Sequence, residues 1–228
     1  MVSAVTWPGD MRLIDLSHTV GHGLVTYPGL PAPVISDHLS RKDSEGRYAP
    51  GTTFHIARIE MVANTGTYLD APSHRWADGA DTSQLALEQV AGLDAIVIDT
   101  HGIRKITPAV IRHHDLAGRA VLFLTRWSRF FGKPEYGNGR HPFVARETAE
   151  ALVKAKAALV GIDSLNIDDT EDLERPAHSI LLRANIPIVE HLTNLEEMPA
   201  EGSRFFAVPP KFAGVGTFSV RAFALLPA

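Results

Sequence analysis

A chain of 228 residues, 45% apolar and 21% charged, is long enough to bury a sizeable core and has the composition of an ordinary globular protein. Its net charge of −4, with no basic cluster, argues against a nucleic-acid partner, which would need a cationic face. The absence of cysteine removes disulfides, thiolate metal ligands and cysteine nucleophiles, and agrees with a reducing, cytoplasmic location. Residues 1–10 carry no basic segment leading into an apolar one, so no signal peptide is expected. No apolar run approaches membrane-spanning length, so no membrane partner is expected either.

In chain order, residues 11–16 read as a first strand, followed by Ser17 and His18. Residues 21–33, rich in glycine and proline around Tyr27, Pro28 and Gly29, read as a loop. The polar segment 36–50 reads as a long loop serving as a lid or an oligomer arm. Residues 53–63, rich in β-branched and aromatic side chains, predict a strand that runs into the stretch from Asn64 to His74. There Gly66 permits a turn. If the chain stays extended beyond it, Tyr68 and Asp70 share a face, because strand side chains alternate. Pro72 then blocks further sheet pairing, and the bend can return His74 to Asp70.

A short helix is expected over 83–90. The apolar runs 93–99 and 120–124 read as buried strands, and Thr107 with Pro108 as a helix start between them. Residues 127–141 form an aromatic, glycine-bearing loop. A helix follows over 144–156, with Ala145, Ala149, Leu152 and Val153 on one face. A strand over 158–162 ends at Asp163. His178 opens a helix over 179–184, with Asn185 suited to a left-handed cap. Residues 186–189 form a strand ending at Glu190, and late strands are expected over 203–208 and 217–226. Strands and helices alternate without a break, repeat or linker, which predicts a single α/β domain spanning 1–228 with a mixed sheet.

Asp70, His74, Asp163 and Glu190 all sit where a predicted strand gives way to a loop, and His178 joins them if its helix starts beside the sheet. Rigid backbone with exposed side chains makes such strand ends the usual place for a site. Without sulfur, Asp, His and Glu are the ligand set for zinc, manganese or iron(II). His113 and His114 read as surface residues, and His22, His38, His101 and His141 as loop residues. His18 and His55 stay open. Tyr27, Trp76 and Trp127 suggest an aromatic-lined pocket. No Gly-x-Ser-x-Gly elbow supports covalent catalysis.

These residues fall in an order that resembles the metal-dependent cyclase family, which includes bacterial kynurenine formamidases and isatin hydrolases. The family signature runs H-x-G-T-H-x-D-x-P-x-H. Here the frame is Asn64-x-Gly66-Thr67-Tyr68-x-Asp70-x-Pro72-x-His74. Asp15-Leu16-Ser17 resembles the family's opening Asp-Ile/Leu-Ser, and Tyr27-Pro28-Gly29 its aromatic-Pro-Gly. Gly161-Ile162-Asp163-Ser164 resembles a later motif. His178, the segment from Asn185 to Glu190, and Leu192 to Leu195 resemble the late metal-binding half.

The resemblance implies a compact α/β domain with a mixed, barrel-like sheet and surrounding helices, of the swivelling β/β/α type, assembled as a homodimer or homotetramer. It implies metal ligation by Asp70, His178 and Glu190, with Glu190 also catalytic and His74 as proton shuttle. Tyr27 is implied as a substrate contact by its place in the aromatic-Pro-Gly motif; Asn64 and Tyr68, able to hydrogen-bond an organic ligand, and the pocket aromatic Trp76 complete the expected substrate-binding set. Two signature histidines are replaced, by Asn64 and Tyr68. Neutral Asn and protonated Tyr are weak ligands. One divalent metal, zinc first and manganese second, is therefore expected rather than two. The implied activity is metal-assisted hydrolysis of an amide, formamide, lactam or lactone in a small aromatic or cyclic substrate. Two alternatives stay open: a metal-poor relative with lyase or cyclase chemistry, and a non-catalytic small-molecule-binding protein.

Overall fold

The computed structural model describes residues 11–226. The chain starts its main sheet with β1 (Arg12–Asp15) and then leaves it. β2 (Val34–Leu39) and β3 (Ile56–Glu60) pair only with each other, antiparallel, with the one-turn helix α1 (Arg41–Ser44) between them. This arm corrects the loop expected over 36–50. Every residue of β3 is exposed, so Ser36, Asp37 and His38 fit a strand that has no buried face to advertise it. The strand expected over 53–63 is correspondingly shorter and lies outside the main sheet.

β4 (Tyr68–Asp70) brings the chain back, and β5 (Ala91–Asp99) crosses the middle of the sheet. The helix expected over 83–90 is only a 3-10 turn at Leu87–Gln89. β6 (Lys105–Ile106) pairs with the later β8 (Phe143–Val144) in a small separate ladder, and β7 (Ala120–Leu124) lies beside β5. Because Val144 belongs to that ladder, α2 (Arg146–Lys154) starts later than the periodicity suggests. β9 (Leu159–Ile162), α3 (Pro176–Arg183) and β10 (Ile188–Glu190) follow, then β11 (Glu201–Phe206), β12 (Thr217–Ser219) and β13 (Phe223–Leu226). His178 is the third residue of α3 rather than its opening, and Asn185 does take the left-handed conformation after it, with φ 58°.

The nine strands of the main sheet run β1-β13-β11-β5-β7-β9-β10-β4-β12 and curl into a half barrel. The four strands from β5 to β10 are mutually parallel; the outer ones are antiparallel to their neighbours. The single strand expected over 217–226 is two, and they lie at opposite sides of the sheet.

Alternation along the central strands divides the core. Ala120, Leu122 and Leu124 point to one face, together with Val97, Val189 and Leu69. Val121 and Phe123 point to the other with Ile96, Ile98, Ile162 and Ile188, where they meet Leu152 of α2 and Leu181 of α3. The same arithmetic places the site. Leu69 and Val189 are committed to the first face, so Tyr68, Asp70 and Glu190 must emerge on the face that α3 covers.

Candidate active site

β4 and β10 are antiparallel neighbours, with Tyr68 opposite Glu190 and Asp70 opposite Ile188. Cross-strand partners on one face touch, and the Tyr68 hydroxyl accordingly donates to Glu190 Oε2. Glu190 Oε1 accepts from the Ile167 backbone N–H. The Glu190 carboxyl is fully buried, and burial pushes its pKa up, with Asp70 adding to the effect. Burial and the Glu190 charge also push the Tyr68 phenol well above its ordinary value, so it stays protonated and acts as a donor.

Beyond Asp70 the chain makes the bend that Pro72 predicts, a 3-10 turn at Pro72–His74. That turn returns His74 Nε2 to 3.7 Å from Asp70 Oδ1. It is clamped between two glycines. A Cβ on Gly216 would lie 2.5 Å from His74 N, and a Cβ on Gly79 would lie 2.7 Å from the Pro72 carbonyl carbon. Both glycines are present because the backbone passes too close for a side chain.

α3 supplies the third group. Asp168 accepts from the backbone N–H of Ala177 at 2.6 Å and of His178 at 3.0 Å, capping the helix start from outside it. The same carboxylate accepts from His178 Nδ1 at 2.7 Å. With Nδ1 held, Nε2 faces the sheet, 3.5 Å from Asp70 Oδ2 and 3.7 Å from Glu190 Oε1. Burial alone would lower the His178 pKa. Glu190, Asp168 and Asp70 together reverse that and raise it.

Asp70, His74 and His178 therefore each offer one ligand atom, all within 4.8 Å of one another. Both Asp70 oxygens are buried without a hydrogen-bond donor. A buried carboxylate with no donor is costly unless a cation satisfies it. Burial would raise its pKa, but the His74 and His178 imidazoles more than offset this and hold it below the usual carboxylate range. The donor set, with imidazole nitrogens turned toward an unsatisfied carboxylate, fits a divalent metal.

A cavity of about 290 Å³ opens over this cluster, lined by Tyr27, Leu30, Asn64, Tyr68, His74, Arg75, Asn166, Arg175 and His178. Tyr27, Asn64 and Tyr68, expected as substrate contacts, all line it. Trp76 is not in the lining: its indole N–H donates to Ser179 O at 3.1 Å, and the Arg75 and Arg183 guanidiniums lie over its ring. Trp127 is also elsewhere, donating to Tyr136 O. Asp163 is not brought to the cluster. The N–H and hydroxyl of Thr125 and the N–H of Arg126 all donate to it, while burial pushes its carboxyl up to about 6. His55 pairs with Asp37 on the exposed arm, and His18 stacks on Phe131 at 3.8 Å.

Sequence reasoning missed Asp168, Asn166, Arg75, Arg175 and His191. An acidic pair, Asp168-Asp169, shortly before a Pro-initiated helix was the available signal for the first. His191 is fully buried beside the site, its ring 5.1 Å from that of Tyr68 and its Nδ1 3.1 Å from the Tyr136 hydroxyl. Burial pushes its pKa down to about 3, so the imidazole is neutral.

Residues 14–169 match the family described as "Putative cyclase". The kynurenine formamidase of Erythrobacter litoralis is 30% identical over 207 residues, covering 90% of each chain. A solved structure of a potential metal-dependent hydrolase with cyclase activity is 26% identical, with a TM-score of 0.78 over 96% of this chain and 99% of that one. Isatin hydrolase A from Ralstonia solanacearum, at 24% identity, shares the fold with a TM-score of 0.80 over 95% of this chain and 92% of the other. The family match over residues 14–169 and the relative 30% identical over 90% of the chain establish that this chain belongs to the cyclase family.

Proposed function

We propose that this protein is a metal-dependent hydrolase that opens the amide-type C–N bond of a small aromatic substrate, in the manner of an arylformamidase. The observation that carries the reading is the fully buried Asp70 carboxylate, without a donor and faced by His74 and His178 Nε2. The kynurenine formamidase relative supports the bond class. The metal would be held by Asp70 and His178, with Glu190 Oε1 as third ligand beside His178. Imidazole and carboxylate donors favour zinc, with manganese second. Bound there, it would supply a Lewis acid that activates water and polarises the substrate carbonyl.

The chain's own groups have distinct tasks. Asp168 fixes the tautomer and direction of His178. Tyr68 and the Ile167 N–H hold Glu190 in one orientation. His74, the exposed member of the cluster, takes a proton from the attacking water and returns it to the leaving nitrogen. Tyr27 and Asn64 line the space that receives the aromatic ring. The reaction balances as water plus an aryl formamide giving formate and an aryl amine.

The test is turnover of formanilide by protein loaded with zinc or manganese, followed as release of aniline. Turnover lost in His74→Ala by about 10²–10⁴-fold is expected. Failure to hydrolyse formanilide or the lactam isatin under either metal would overturn the proposal. Asp168→Ala should weaken metal affinity about 10- to 100-fold, read by competition with a chromogenic chelator, because His178 loses its orienting partner.

A further inference from the structure

The rim of the cavity carries two arginines that lack ion-pair partners among the described residues. Of the nine lining residues two are arginines, two are histidines and none is acidic, in a chain whose net charge is −4. Among the described residues, the arginines around α3 are otherwise neutralised. Arg183 pairs with Asp78, Arg104 with Asp169, and Arg146 with Glu174. Arg75 and Arg175 make no ion pair with any described carboxylate, although each is held in place.

Both are held against the first turn of α3. Arg175 is the residue before Pro176, in a left-handed conformation (φ 49°) that side chains other than glycine seldom adopt. Its Nη1 donates to Asp169 O at 3.0 Å, and its guanidinium lies beside the Tyr27 phenol. Arg75 Nε donates to Ser179 Oγ at 3.1 Å, and its guanidinium stacks on Trp76 at 4.5 Å. Residues 175 and 179 are one helical turn apart, with His178 between them. Each guanidinium is therefore fixed by one hydrogen bond that it donates, with further N–H donors left over. The Asp70–His74–His178 cluster lies beside them.

We propose that Arg75 and Arg175 form a carboxylate-recognition site, so that the protein selects substrates whose aromatic or cyclic body carries an acidic group. The inference rests on the proposed hydrolase reading only for the identity of the bond broken. A fixed guanidinium fork matches a carboxylate, and immobilisation before binding lowers the entropic cost of forming the pair. An anionic group at the rim also places the neutral amide bond inward, toward Asp70 and His178.

Binding can be read without turnover, so the two readings fail separately. Purified protein of measured metal content is titrated with benzoate and, in parallel, with benzamide, its neutral counterpart. Benzoate should bind about 10- to 100-fold more tightly, and added salt should narrow the gap. Any contribution from the metal is common to all variants. In the double variant Arg75→Gln with Arg175→Gln the preference should fall at least about 10-fold while benzamide affinity stays the same. Arg175→Lys alone, which keeps the charge, should keep most of the preference. Equal affinity for the two ligands in the wild type, an undiminished preference in the double variant, or an equal loss of both ligands overturns the proposal.

Discussion

Asp70→Asn is expected to lower kcat/KM on an aryl formamide by at least about 10³-fold and to bring metal content to background. Among the described carboxylates, Asp70 is the one within 4 Å of both histidines, with 3.7 Å to His74 Nε2 and 3.5 Å to His178 Nε2. An amide at this position keeps the size but removes the charge that a dication requires. In chelator-treated protein the substitution should cost some stability, since the His74 and His178 imidazoles hold the Asp70 carboxyl below the usual carboxylate range, but it should not prevent folding, since both Asp70 oxygens are buried without donors. Loss of activity with normal metal content would mean that Asp70 acts on substrate instead. Loss of both with a collapsed Tm would mean a structural role.

Gly216→Ala is expected to lower kcat about 10²-fold and stability by about 1–3 kcal/mol. The new methyl would lie 2.5 Å from His74 N, 2.7 Å from His74 Cα and 2.9 Å from the Ser73 carbonyl carbon. These are backbone atoms, so they cannot rotate away; the turn must move and carry His74 with it. The hydrogen bond from Ala71 N–H to Gly216 O, at 2.8 Å, ties the same two segments together. Gly79→Ala presses on this turn from Pro72 and should act in the same direction. Metal content should survive better than kcat, since Asp70 and His178 are anchored on β4 and α3. A variant with wild-type kcat and Tm would show that the turn can yield without cost to His74.

The parts of the site that follow from local rules were legible in the chain itself. Alternation puts Tyr68 and Asp70 on one face, and Pro72 forces the bend that returns His74. The run 120–124 is a buried strand to the residue. What stayed hidden depends on contacts between distant segments. Asp168 looks like one more loop acid until its hydrogen bonds to Ala177 and His178 are seen. Gly216 carries no sign of the turn it backs. β2 and β3 bury almost nothing, so hydrophobic patterning could not report them. Trp76 misled for a related reason: an aromatic next to a site histidine can as well pack on the adjoining helix, and here it does.

The expectation of one metal, drawn from Asn64 and Tyr68, acquires a physical meaning from the Tyr68–Glu190 pair. A protonated phenol already donates to the carboxylate that a second cation would need to share. The most direct measurement is therefore the formanilide hydrolysis rate of a single stripped preparation, titrated with zinc while bound metal is counted in the same samples. The rate should be absent in stripped protein, rise in proportion to bound metal and level off at about one equivalent per chain. Full activity in stripped protein, or a rate that levels off only at two equivalents, would contradict a single metal centred on Asp70 and His178.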